Sequence, residues 1–206
     1  MSLIDDPHQA ELRAAGWHSR GYLPHFDGRE IPQFITIRLF DSLPDKVLQR
    51  WQRELNAQNS SDDQALLRKR IEKYLDQGYG EALLADQRLA RMVQSVLLSF
   101  DGRSYRLSAW VVIPNHIHFL ATRLETQTLS AIMQSFKSLT SHKANQLLGR
   151  KGNFWMADYF DRYIRNAEHF ANTVRYIENN PVKARLCAKP SDWPYSSAWF
   201  RAREQK

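Results

Sequence analysis

The sequence predicts an α+β domain: a ferredoxin-like antiparallel sheet of split β-α-β order, with helices on one face and a helical insertion after the first helix. Three observations carry that reading. Tyr105 to Ile113 and His116 to Arg123 are runs of β-branched and aromatic residues joined by the turn formers Pro114 and Asn115, so they pair as a hairpin. Stretches before and after the hairpin repeat apolar residues at helical spacing. Two further β-prone runs, from Gln33 to Phe40 and from Phe154 to Ile164, supply the other two strands.

Along the chain, residues 17 to 32 are rich in turn formers and predict an ordered lead-in rather than a regular element. After the first strand, Ser42 and Pro44 suit a helix start, and Val47, Leu48, Trp51 and Leu55 keep the helical period. A polar break from Asn56 to Asp63 separates this helix from a second with Leu66, Leu67, Ile71, Tyr74 and Leu75, closing at Gly78. Asp86 can cap a third helix striped by Leu89, Met92, Val93, Val96 and Leu97, closed by Asp101-Gly102. Beyond the hairpin, Leu129, Ile132, Met133, Phe136 and Leu139 predict a helix running to Leu148 and ending at Gly149. A terminal helix follows from about Glu168 to Asn180, with Pro181 after it.

Composition bounds the function. With 206 residues, 43% hydrophobic and 25% charged, the chain suits a single domain over 1–206, with a lead-in to about residue 32 and a basic tail from about 181. One cysteine, Cys187, excludes an internal disulfide framework and a cysteine-rich zinc site. The acidic, polar N-terminus has no apolar signal segment and no run is long enough to span a bilayer, so a cytoplasmic, nucleoid-associated protein is expected. The net charge of +7 is uneven: residues 1–133 hold sixteen Lys/Arg and sixteen Asp/Glu, and 134–206 hold thirteen and six. A basic third interleaved with aromatics fits a polyanion with stackable bases, and fits equally a solvated surface over an aromatic core. The tail cluster Trp193, Tyr195 and Trp199 is read as packing.

Side chains alternate along a strand, so His116 and His118 face the same side while Ile117 and Phe119 face the other. Two imidazoles on a rigid strand can hold two corners of a divalent site, although an isolated His-x-His is more often a wet surface pair. On the terminal helix Tyr176 and Asn180 are four apart and share a face, with Glu178 turned away. A phenol and an oxygen ligand can therefore reach the histidine pair together.

His116-Ile117-His118 resembles the HUH motif of single-tyrosine HUH nucleases. With it, Arg20-Gly21-Tyr22-Leu23-Pro24-His25-Phe26-Asp27, Pro114-Asn115-His116-Ile117-His118-Phe119 and Tyr176-Ile177-Glu178-Asn179-Asn180-Pro181-Val182-Lys183-Ala184 are similar to the REP-associated tyrosine transposases. The resemblance spans about residues 17 to 200. It implies a C-terminal catalytic helix with Tyr176 as nucleophile, Tyr159 and Tyr163 being the competitors, and a divalent cation, Mg²⁺ or Mn²⁺, on His116, His118 and Asn180. It also implies a single-stranded DNA endonuclease and strand transferase acting on repeated palindromic hairpins through a 5′-phosphotyrosine. Lys137, Lys143, Arg162, Arg165 and Arg175 are the candidate phosphate contacts, and the protein acts as monomer or homodimer. Two other classes remain: a nucleic-acid-binding module that keeps the fold without cutting, and a metal hydrolase whose histidines activate water.

Overall fold

A computed structural model describes residues 17–20, 23–26, 30–56, 63–124 and 127–204. Of the motif residues, Gly21, Tyr22 and Asp27 lie outside these, as do 57–62 of the expected polar break. The elements are β1 (Trp17–Arg20), β2 (Leu23–Phe26), β3 (Gln33–Arg38), α1 (Asp45–Asn56), α2 (Asp63–Leu75), α3 (Gln87–Ser99), β4 (Tyr105–Ile113), β5 (His116–Arg123), α4 (Leu129–Leu148), β6 (Phe160–Tyr163), α5 (Ala167–Lys183) and α6 (Ser197–Glu204). The expected lead-in is not irregular: β1 and β2 pair antiparallel as a small hairpin, with Arg20 opposite Leu23.

The main sheet is antiparallel in the order β4-β5-β3-β6. Its register places Thr36 opposite His118 and Arg38 opposite His116 on one side of β5, and Val111 opposite His118 on the other. Cross-strand partners share a face, so one face carries Phe34, Thr36, Arg38, Val111, Ile113, His116, His118 and Leu120. The other carries Ile35, Ile37, Val112, Ile117 and Phe119, which form the main core with Leu89, Val93 and Leu97 of α3 and Ile132, Met133 and Phe136 of α4.

Here the sheet departs from a one-sided arrangement. Phe34, Val111, Ile113 and Leu120, on the histidine face, pack with Ile177 of α5, and Phe160 packs with Leu67, Ile71 and Leu75 of α2. The face expected to stay open is thus roofed by α5 and by the helical insertion, because each brings an apolar stripe that must be buried somewhere. The two histidines are fully covered, and a cavity of about 120 Å³ opens beside Thr36, the residue bonded to His118.

Capping explains several boundaries. Asp86 accepts from the Arg88 N–H at the start of α3, Thr128 accepts from Ala131 at the start of α4, and Gly149 ends α4 at φ 62°. Strand β6 is shorter than expected, four residues, preceded only by a bridge of Trp155 to Leu39. Helix α5 does not stop before Pro181 but carries it inside and continues to Lys183. The terminal aromatics pack as expected: Trp193 Nε1 donates to the Val112 carbonyl, and the cluster leads into a further helix, α6.

Candidate functional site

His116 and His118 are fully buried, and their Nε2 atoms stand 2.9 Å apart. Each ring is fixed from behind. The Asn115 amide donates through Nδ2 to the carbonyls of Leu75 and Tyr79, so its Oδ1 faces His116 Nδ1 at 2.8 Å and must accept. The proton of His116 therefore sits on Nδ1, leaving Nε2 bare, the tautomer a metal ligand needs. Behind His118, Nδ1 lies 2.8 Å from the Thr36 hydroxyl, which can donate or accept and so suits either tautomer.

Both imidazoles are neutral. Burial pushes His116 down to about 3 and holds His118 well below its ordinary range, with positive charge on His116 and Lys183 adding to the effect. A neutral imidazole offers its lone pair, so the low basicity favours a metal role.

Helices α2 and α5 close the site from above. Asp76, just past the end of α2, brings a carboxylate oxygen that lies with ligand nitrogens of His116 and His118 inside a sphere of mutual distances no greater than 4.8 Å. Asn180, fully buried on α5, donates through Nδ2 to Asp76 Oδ1 at 3.3 Å, while its own Oδ1 has no hydrogen-bond partner. An orphaned buried oxygen beside a carboxylate, the bare His116 Nε2 and a His118 Nε2 that is freed when its proton shifts to Nδ1 against the Thr36 hydroxyl fits a cation, since ligands each about 2.1 Å from an ion lie within such spacings of one another. Burial raises the Asp76 carboxyl, and the Asn180 hydrogen bond and Lys183 charge partly oppose this.

Tyr176 sits one turn from Asn180, its ring centroid 5.5 Å from that of His118 and 5.7 Å from that of Phe34. Its hydroxyl is buried and lacks a partner. Burial raises its pKa above the usual range, the Glu72 and Asp76 charges add to that, and Arg162 opposes it. Tyr159 joins the core on the α3/α4 side, and Tyr163, paired with Gln33, is in register for that same face. Neither rival shares the histidine side of the sheet.

The five basic candidates separate. Arg162 lies over the Phe34 ring at 5.7 Å, and with Arg165 and Lys69 it borders a cavity of about 120 Å³ beside Thr36. Arg175 is exposed on α5 and bonded to Asn172. Lys137 and Lys143 ride on α4, across the sheet from the histidines; Lys137 donates to the Ala157 carbonyl at 2.5 Å, and burial lowers its pKa to about 8.

Sequence reasoning missed three contributors. Asp76 stands alone at a helix end, and no spacing ties it to His116 forty residues away. Thr36 is one β-branched residue among several in its strand. Lys183, whose Nζ lies 4.5 Å from the Tyr176 ring centroid, reaches the site only because α5 passes through Pro181.

A family model described as IS200-like transposase matches residues 80–180. That segment, just under half of the chain, is similar to the IS200-like transposases. The IS200-like segment holds the His-x-His strand, Tyr176 and Asn180, while Asp76 and Lys183 fall just outside it. The REP-associated tyrosine transposase of Escherichia coli is 33% identical over 96 residues, which are 46% of this chain and 55% of that protein. The chain thus spans about half the length of that curated relative. The solved structure of a REP-associated tyrosine transposase bound to a REP hairpin superposes with a TM-score of 0.54 at 20% identity, over 87% of this chain and 82% of that one. That likeness shows a shared fold. Among the described residues no helix is long and apolar enough to cross a membrane.

Proposed function

We propose that this chain is a metal-dependent single-stranded DNA endonuclease and strand transferase acting on repeated palindromic hairpin DNA. The observation that carries the reading is Tyr176: an unpartnered phenol beside His118, on the same helix as Asn180. The family-model match over residues 80–180 and the hairpin-bound structural neighbour support the substrate class.

In this reading His116, His118 and Asn180 hold a divalent cation, Mg²⁺ or Mn²⁺, with Asp76 as a further ligand. The bound cation would polarise a non-bridging phosphate oxygen and stabilise charge on the leaving 3′ oxygen. The Tyr176 oxygen attacks the scissile phosphorus, the P–O3′ bond breaks, and the electron pair leaves with O3′. The phenolic proton lost by Tyr176 balances the proton gained by the 3′-hydroxyl. Products are a 5′-phosphotyrosine and a free 3′-OH, whose reverse attack joins strands without ATP.

The residues also account for control of the nucleophile. Glu72 and Asp76 disfavour phenolate, so a cation neutralising Asp76 removes part of that repulsion only when the site is loaded. Helix α5 fixes the phenol and Asn180 in one register, which lowers the entropy cost of the reactive geometry. Arg162, Arg165 and Arg175 contact phosphates near the site, and Lys137 and Lys143 more remote ones.

The test is incubation with single-stranded hairpin DNA and Mn²⁺ followed by a denaturing gel. A protein-DNA adduct that disappears in Tyr176→Phe supports the reading. Cleavage without any adduct would hand the role to water.

A further inference from the structure

Tyr176, Asn180 and Lys183 fall at i, i+4 and i+7 on α5, so they form one stripe along the helix. The stripe reaches Lys183 only because α5 runs through Pro181. Lys183 starts about 10 Å beyond Tyr176 along the helix axis, yet its Nζ lies 4.5 Å from the Tyr176 ring centroid. Its stem has folded back toward the helix N-terminus, the direction in which helical side chains lean.

A lysine in a last turn is ordinarily a solvated cation that complements the helix dipole. Lys183 is exposed, but its charge is felt inside the site. Burial raises the Asp76 carboxyl and Lys183 opposes the rise, while burial lowers His118 and Lys183 adds to the fall. Of the charges around the phenol, Glu72 and Asp76 repel negative charge on its oxygen, and Arg162 and Lys183 attract it. The Arg162 guanidinium is already seated over the Phe34 ring. The Lys183 ammonium is a compact charge on a flexible four-carbon stem, so it can follow a reacting group over a few ångströms.

We propose that Lys183 is a catalytic residue: its ammonium rests on the Tyr176 ring and moves onto the scissile phosphate, where it neutralises charge growing on the phosphoryl and phenolic oxygens. In cleavage the P–O3′ bond breaks as the phenolic oxygen bonds to phosphorus; in joining a 3′-hydroxyl attacks, the bond from phosphorus to the phenolic oxygen breaks, and its electron pair leaves on that oxygen. The proton lost by the attacking hydroxyl balances the one gained by the leaving oxygen in each direction. Lys183 keeps its protons throughout and acts by charge alone. The inference rests on the assignment of Tyr176 as nucleophile.

The test is single-turnover adduct formation by the full chain, at saturating hairpin DNA and Mn²⁺, in wild type, Lys183→Met and Lys183→Arg. Methionine keeps an unbranched stem against the ring and removes the charge. Lys183→Met should slow adduct formation about 100-fold, the usual effect of removing one group aimed at developing charge, and should slow the reverse joining step by the same factor. Lys183→Arg should recover most of the rate. Mn²⁺ affinity supplies a second readout: with a cation removed from beside Asp76 and His118, metal binding should stay equal or tighten. Weaker Mn²⁺ binding with a lowered melting temperature, or an equal loss of rate in Lys183→Arg and Lys183→Met, would make Lys183 a packing residue and overturn the proposal. An adduct formed at the wild-type rate by Lys183→Met sinks the role of Lys183 and leaves Tyr176 standing, whereas no adduct even in the wild type sinks both.

Discussion

Asn115 Oδ1 holds His116 Nδ1 at 2.8 Å, and because the Asn115 amide nitrogen is already committed to two carbonyls, the bond has one direction. Asn115→Asp would keep the shape and lose the amide's donors to Leu75 and Tyr79. It should lower cation affinity by about 10- to 100-fold, the usual effect of disturbing the partner behind a ligating imidazole. Calorimetric titration with Mn²⁺ measures it, and an affinity equal to wild type would refute the tautomer assignment.

Removing the histidines separates binding from chemistry. His116→Ala with His118→Ala should abolish adduct formation while hairpin retardation persists, as the proposed phosphate contacts at Arg162, Arg165 and their neighbours require. Asp76→Ala should weaken Mn²⁺ binding more than Asn180→Ala, because a carboxylate is a stronger oxygen ligand than a neutral amide. The opposite order would make Asp76 a support for Asn180 instead of a ligand.

Tyr176→Phe makes a paired prediction. It deletes a buried hydroxyl that has no partner, so stability should hold or rise by about 1 kcal/mol while the covalent adduct vanishes. Thermal melts and peptide mapping of the wild-type adduct check the two halves. A label on Tyr159 or Tyr163 would contradict the placement of those side chains on the far face.

Acid should weaken the metal-free fold. His116 titrates near 3 when folded and near 6.5 when unfolded, so the unfolded chain binds more protons between those values and stability falls as pH drops from 6.5 toward 3. His118 acts in the same direction. Asp76, raised in the fold, acts oppositely: its contribution is full below 3.8 and fades as pH rises through its folded value. Two imidazoles against one carboxyl leave net acid destabilisation, and His116→Gln should flatten the stability-pH curve in that window.

Salt dependence sorts the cations. Arg165→Ala should reduce the log-log salt slope of hairpin binding by about 0.9 if it neutralises one phosphate. Lys137→Ala should reduce the slope as well and should also lower the melting temperature, because Lys137 ties α4 to the Ala157 carbonyl.

Much of this architecture was readable beforehand, for identifiable reasons. The hairpin ends fall at Ile113 and His116 because Pro114-Asn115 can only turn, and α3 and α4 start and stop at Asp86, Thr128 and Gly149, whose side chains or φ values do the capping locally. Period-two alternation placed His116 and His118 together, and a four-residue spacing placed Tyr176 with Asn180. What stayed hidden was tertiary. Nothing local says that α2 would end over the histidines and deliver Asp76. Proline statistics argued for ending α5 at Asn180, but packing of Ile177 against the sheet carries the helix through Pro181. The β1-β2 hairpin was obscured because its stretch is punctuated by turn formers, Ser19, Gly21, Pro24, Asp27 and Gly28, and no apolar period runs through it.

The reverse side of α5 holds a further lesson. Glu178, turned away from the site, accepts from Ser197 Oγ at 2.7 Å and pairs with Arg201 of α6, while Ser197 also receives the Trp110 N–H at 3.2 Å. The helix that carries Tyr176 is thus bolted from behind by α6 to β4, the strand paired with the histidine strand. Cropping the chain before Ser197 removes none of the described residues named at the site, yet it takes out the bolt. A shortened protein of that kind should still fold its sheet and lose aim, so affinity tags and fusions belong at the other end.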